Sequence, residues 1–211
     1  MVWCPGPGQT GFNALGKILD GDINPSGKTS DIFVYDLKKS PSYNNFGDFQ
    51  YTNMDEFSTD DRGVKHKPSF VNYAEGVYVG YKFYETAAKE NVINYAGYVQ
   101  YPFGYGLSYT SFTKEMGEIV ANNGKISIDV LVTNTGNSAG KDVVELYYNP
   151  PYKNGGIEKA STNLVGFGKT KLLQPGESET VNITFNLEDM ASYDDKDKKA
   201  YVLEAGTYEI S

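Results

Sequence analysis

The opening run MVWCPGPGQTGFNALGK sets glycines at spacings that two kinds of nucleotide site use. Gly6, Gly8 and Gly11 fit the G-x-G-x-x-G dinucleotide fingerprint, while Gly11, Gly16 and Lys17 fit the G-x-x-x-x-G-K core of a phosphate-binding loop. Neither match suits the chemistry it would have to perform. A phosphate loop carries Ser or Thr directly after its lysine to hold the metal ion, and Ile18 stands there instead. Gly16 and Lys17 also fall inside a predicted helix, whereas such a loop precedes its helix and aims backbone N–H groups at phosphate. For a dinucleotide site, Asp31 lies about 20 residues beyond Gly11, where a ribose-binding acid is expected. It stands before the next strand, however, not at a strand's end. The first strand would be only Val2-Trp3-Cys4, and Pro5 and Pro7 remove backbone donors from the turn that should cradle the pyrophosphate. Nucleotide binding is set aside.

Other chemistry-bearing residues are sparse. Cys4 is the only cysteine, so neither a disulfide framework nor a cysteine metal site is available, and no metal site is expected. His66, the only histidine, sits among charges in KHKPS and reads as a solvated loop residue. Asn182-Ile183-Thr184 matches a glycosylation sequon but lies in the middle of a predicted strand, and no glycan is expected there. The 18 Tyr and 11 Phe against a single Trp leave two readings open. Tyrosine rings stack on the axial C–H faces of sugars while their hydroxyls hydrogen-bond; tyrosine also suits strands and half-buried loops, the more ordinary explanation.

The elements that must position such residues differ between the two halves. From about residue 116 onward the chain reads as an all-β module. In KISIDVLVTNTG, Ile126, Ile128, Val130 and Val132 alternate with polar residues, a period of two with one face buried, bounded by Asn122-Asn123-Gly124 and Asn134-Thr135-Gly136. DVVELYY (142–148), NLVGFGKTKLL (163–173) and ETVNITF (179–185) give further strands, and AYVLEAGTYEIS breaks at Ala205-Gly206 into two short ones. Short strands with turns at this spacing predict an antiparallel sandwich of immunoglobulin or fibronectin type III style. In the first half, Phe12, Leu15, Ile18 and Leu19 recur at helical spacing over 11–20, with Gly21 placed as a C-terminal cap. A short strand follows in IFVY (32–35), then an aperiodic loop over about 37–75, then EGVYVGYKFYETAAKE (75–90), which reads as a strand passing into a helix. QYPFGYGLSYTSF (100–112) breaks regular structure and is the natural junction. One helix, one strand and so long a loop cannot make two packed layers, so the chain is expected to be a piece of something larger.

Charge and hydropathy exclude several functions. A formal net charge of -8 argues against nucleic acid, which wants a basic face. No apolar run approaches the roughly 20 residues that span a bilayer, and no signal-peptide pattern follows Met1, so no membrane partner is expected. The compartment, cytoplasmic or secreted, stays open.

Several long segments, in order, resemble the C-terminal regions of glycoside hydrolase family 3, the β-glucosidase and β-xylosidase group. PGQTGFNALGKILDGDINPSGK (7–28) looks like the family's PG-Q/E-x-G…N-P-S-G-K/R segment, YAEGVYVGYKFYET (73–86) like its Y-x-E-G-I-Y-V-G-Y-R-Y-Y segment, and YPFGYGLSYTSF (101–112) like its P-F-G-x-G-L-S-Y-T-x-F junction. VTNTGNSAGKDVVELYY, LVGFGKTKLLQPGESETV and YVLEAGTYEI are similar to its fibronectin III-like domain. There are departures. Gly27-Lys28-Thr29-Ser30 replaces the G-R-L-P of many members, and Tyr105 stands where some relatives carry His. The loop 40–70, with FGDFQYTNMDEF, most resembles bacterial members whose barrel follows the fibronectin-like domain.

The resemblance implies an α/β fragment, the end of an α/β sandwich domain, over 1–115, followed by an all-β fibronectin III-like sandwich over 116–211. It implies part of a retaining exo-acting β-glycosidase working on β-linked glucosides or oligosaccharides, with two carboxyl groups about 5–5.5 Å apart. In the family the nucleophile is an Asp in an S-D-W-like barrel motif and the acid/base a Glu upstream of the PGQ segment. Ser30-Asp31-Ile32 imitates the first but follows the helix, so no catalytic residue is assigned to this chain and it is expected to be inactive alone. Its partners would be the missing barrel and sandwich portions of the same enzyme; no cofactor is expected. Glu75 in YAEG and Tyr105, held between two glycines that expose its ring, are the candidate substrate-binding residues. The plainer alternatives are a turn cap for Glu75 and packing against the β module for Tyr105. From a different class, a stand-alone carbohydrate-binding or adhesion module also fits a tyrosine-rich sandwich.

Overall fold

A computed structural model of the chain describes residues 2, 4, 6, 8–45, 47, 49–53, 58–66 and 68–211. The chain is mostly sheet with few helices. In order it runs through α1 (Gly11–Asp20), β1 (Phe33–Val34), β2 (Ser58–Thr59), β3 (Lys65–His66), α2 (Tyr81–Lys89), α3 (Tyr95–Tyr98) and β4 (Val99–Tyr101). Then follow β5 (Phe112–Asn122), β6 (Lys125–Asn134), β7 (Val143–Asn149), β8 (Asn163–Lys169), β9 (Ser178–Asn186), β10 (Ser192–Asp194), β11 (Ala200–Val202) and β12 (Glu209–Ile210). Its contacts gather into two units: Met1–Ser30 with Phe103–Ser211, and Asp31–Pro102.

The first unit is organised by two antiparallel three-stranded sheets, β5-β6-β9 and β12-β7-β8. The period-two reading of β6 holds: Ile126, Ile128, Val130 and Val132 are buried beside Phe185, Ile183 and Val181 of β9 in the same sheet, and share one core cluster with Val144, Leu146 and Tyr148 of β7 in the other. Leu173 and Met190 belong to the same cluster. Sheet β12-β7-β8 comes so near β9 that a side chain at Gly166 would meet Ile183 Cγ2 at 2.6 Å and one at Gly168 would meet Val181 Cγ1 at 2.5 Å. Glycine there is a packing requirement. The β5–β6 hairpin closes on Asn123-Gly124, both at positive φ (48° and 74°), the arrangement whose twist matches paired antiparallel strands.

Strand β5 has no counterpart in the sequence reading, since it alternates on neither face: Thr113 through Asn122 are all exposed. The two short strands read in AYVLEAGTYEIS form as β11 and β12, whereas β10, which pairs with β11 and sets Tyr193 opposite Tyr201, is unforeseen. Helix α1 matches its reading, including Gly21 at φ 88° donating its N–H to the Ile18 carbonyl at 3.2 Å.

In the second unit, β1 pairs with β4, a shorter strand than IFVY suggested. The aperiodic stretch over about 37–75 contains two single-turn 3₁₀ segments, Leu37–Lys39 and Tyr43–Asn45, and the small hairpin β2–β3. The strand expected ahead of α2 does not form. Residues 74–77 are turn, and Gly76 and Gly80 take positive φ (56° and 59°), which interrupts an extended chain despite its valines and tyrosines.

Candidate functional site

The glycine-rich opening is helical where a phosphate loop would need an open turn. Gly16 and Lys17 are interior positions of α1, and Thr10 caps it without a side-chain hydrogen bond. Trp3, Pro5 and Pro7 of that reading lie outside the described residues, as do parts of FGDFQYTNMDEF. Among the described residues no group of three or more His, Cys, Asp or Glu side chains is arranged to hold a metal ion.

Tyr105 sits on a turn that the preceding loop grips by its backbone. Thr29 N–H donates to the Tyr105 carbonyl (2.8 Å), Gly104 N–H to the Thr29 carbonyl (2.9 Å), and Tyr105 N–H to Thr29 Oγ1 (2.9 Å). The two segments touch backbone to backbone, because a Cβ on Gly106 would run into the Gly27 carbonyl oxygen. Gly104, at φ 76°, lies against the Glu145 carboxylate of β7. The Tyr105 residue keeps 37% of its surface exposed.

Asn24 fastens the same loop further along. Its Oδ1 accepts from Ser108 Oγ (2.9 Å) and Tyr109 N–H (2.8 Å), and its Nδ2 donates to the Ala139 carbonyl (3.0 Å). Lys28 reaches the Asp142 carboxylate (3.2 Å) and the Gly106 carbonyl (3.4 Å), while Lys114 of β5 holds the other carboxylate oxygen of Asp142 at 2.9 Å. Asp142 is buried, 6% exposed. Burial alone would push its carboxyl up. The hydrogen bonds from Lys114 and the Val143 N–H, with the charges of Lys114 and Lys28, outweigh that and hold it below the ordinary carboxylate value.

Glu75 lies in the other unit, on the wall of a cavity of about 320 Å³ that Asp31, Ser40, Ser42, Gly80 and Tyr84 also line. Its carboxylate accepts from Asn45 Nδ2 at 3.1 Å, and its carbonyl accepts the Tyr78 N–H at 3.0 Å, closing the turn. Asp31 Oδ1 accepts the N–H of Ile32 at 2.7 Å. Burial pushes the Tyr84 phenol up, a hydrogen bond with Ser40 opposes this, and the Asp31 charge adds to it. The cavity thus gathers two carboxylates and three hydroxyls, donors and acceptors of the kind that suit a neutral polyol. His66 is exposed, as read, and lies in β3 rather than a loop, where it bonds Asp60 through Nε2 at 3.1 Å. Asp60 also accepts from the Val64 N–H and the Arg62 guanidinium, and its pKa is held down to about 2.

The chain places Glu75 and Tyr105 in different units, each with partners of its own. Sequence reasoning did not single out Asn24, Lys28, Lys114 or Asp142. Asn24 and Lys28 lie inside the quoted NPSGK segment and Asp142 inside GKDVVELYY, so a motif marked them without revealing their partners; nothing marked Lys114.

A fibronectin type III-like domain family matches residues 142–211. β-Glucosidase A of Butyrivibrio fibrisolvens is 42% identical over 228 residues, covering 99% of this chain and 24% of that protein. A β-glucosidase structure from Paenibacillus barengoltzii superposes with a TM-score of 0.75 at 36% identity, over 95% of this chain and 20% of its own. β-Glucosidase 3B of Thermotoga neapolitana, in complex with α-D-glucose, does so with 0.74 at 33%, over 96% and 24%. The chain spans about a fifth to a quarter of the length of the curated relatives it matches. The resemblance to the C-terminal part of glycoside hydrolase family 3 is thereby shown.

Proposed function

We propose that this chain is a part of a retaining, exo-acting β-glucosidase that hydrolyses terminal β-D-glucosyl residues. The observation that carries the reading is likeness to β-glucosidases over nearly the whole chain, at 42% identity in one relative. In this reading residues 1–115 are the end of an α/β sandwich domain and 116–211 a fibronectin III-like sandwich. The nucleophile and the acid/base then lie outside this chain, which spans only about a fifth to a quarter of its relatives' length, and this chain supplies scaffold and pocket wall. Substrate-binding roles are assigned to Glu75 and to Tyr105 separately, each within its own unit: a carboxylate accepts hydroxyl protons, and a phenol ring offers a face to C–H groups.

The purified chain should not hydrolyse an aryl β-glucoside. Substituted for the matching quarter of the Butyrivibrio enzyme, it should support hydrolysis that the enzyme lacking that quarter does not show. Saturable turnover by the chain alone, or a folded but dead chimera, would overturn the proposal.

A second reading, a carbohydrate-binding or adhesion module, is favoured by one observation. Tyr193 and Tyr201 form an exposed cross-strand pair with centroids 5.4 Å apart. Asp194 fixes their hairpin by accepting from the N–H groups of Lys196, Asp197 and Lys198. Calorimetry with cello-oligosaccharides decides it: no heat at millimolar sugar excludes this reading.

A further inference from the structure

We propose that Asp142 is a positioning residue, through which the β module sets the turn that presents Tyr105. Asp142 is buried with Lys28 on one carboxylate oxygen and Lys114 on the other, so any shift of the carboxylate breaks one of the two pairs. One of those ammoniums, Lys28, bonds the Gly106 carbonyl within the turn, and its chain neighbour Thr29 makes three hydrogen bonds to Gly104 and Tyr105. The path therefore runs from Asp142 to Lys28, then to Thr29 and the two residues it holds.

At Gly106 and Gly27 the turn and the loop meet backbone to backbone, so a shift of the loop passes directly to the turn. Lys114, the other partner, comes from β5 and touches Asp142 from outside the loop. Its role differs. It supplies charge that keeps Asp142 ionised, and it does not itself hold the turn. The fibronectin-like module thus acts on a substrate-facing residue without contributing any group that reaches substrate. The importance given to Tyr105 rests on the β-glucosidase reading; the mechanical path does not.

The test uses the full 211-residue chain and native-state hydrogen exchange resolved by NMR. In Asp142→Asn, which keeps shape and removes charge, the Thr29, Gly104 and Tyr105 amides should exchange on the order of tenfold faster. Lys28→Met should reproduce this, whereas Lys114→Met should leave the three amides slow. The Asn134 and Gly176 amides, bonded to Glu177 and Asn134 at another turn of the module, serve as reference and should not change. Ring resonances of Tyr105, assigned with Tyr105→Phe, should move in the first two variants only. If Asp142→Asn fails to fold, Lys28→Met alone carries the comparison. Uniform acceleration that includes the reference amides, unchanged amides at the turn, or a Lys114→Met effect equal to that of Lys28→Met each overturns the proposal. No sugar enters the experiment, so its failure is distinct from failure of the chimera.

Discussion

Asp142 titrates in a way that gives the β module a particular response to acid. Its folded pKa lies below the unperturbed value of 3.8. A group depressed in the folded state contributes stability in full above its unfolded pKa and loses it as pH falls through the folded one. Urea unfolding of the native chain and of Asp142→Asn should therefore show a gap that is constant near neutrality and narrows once the pH drops below 3.8. Asp60, Glu177 and Asp194 are depressed as well, so the total stability of both proteins falls in acid. Only the difference between them reports Asp142, and a gap that stays constant on acidification would contradict the assignment. The causes also rank the two lysines. Lys114 adds a direct hydrogen bond to the carboxylate, whereas Lys28 lowers its pKa through charge alone.

At the level of elements, the sandwich depends on strands whose alternating side chains meet from two sheets. Ile128, fully buried in the middle of β6, should cost about 2–5 kcal/mol when cut to Ala. Val120 of β5, 55% exposed, should change stability by less than about 0.5 kcal/mol under the same truncation. Chemical denaturation of the two variants checks both. The same contrast explains which elements could be read from the sequence. Strands β6 and β9 bury one face, so their apolar residues recur at every second position. Strand β5 buries neither face past Phe112 and carries an irregularity between Met116 and Ile119, so no alternation survives to be read. EGVYV has the composition of a strand, but Gly76 and Gly80 turn the chain before it can pair. For the candidate site, the motif segments were legible and their partners were not. Asn24 meets Ser108 and Tyr109, and Lys28 meets Asp142, across separations that local spacing does not encode.

At the scale of the whole molecule, the first unit is assembled from chain on both sides of the second. Contacts draw the loop of 24–29 and the turn of 103–109 together with the β module. That hydrogen-bonded meeting of Thr29 and Gly104 has a consequence for rewiring the gene. The chain departs from the first unit at Ser30 and returns at Phe103, each one residue from a backbone hydrogen bond of 2.9 Å that already holds the two ends side by side. Residues 31–102 should therefore be removable, with a few glycines closing the gap, because so short a loop adds little closure entropy. The shortened protein should keep cooperative thermal unfolding and the dispersed amide resonances of β6 and β9. A molten product without cooperative unfolding would refute this. The Thr29–Gly104 pairing is in this sense a ready-made splice point, at which one segment can be exchanged for another while the sandwich is left intact.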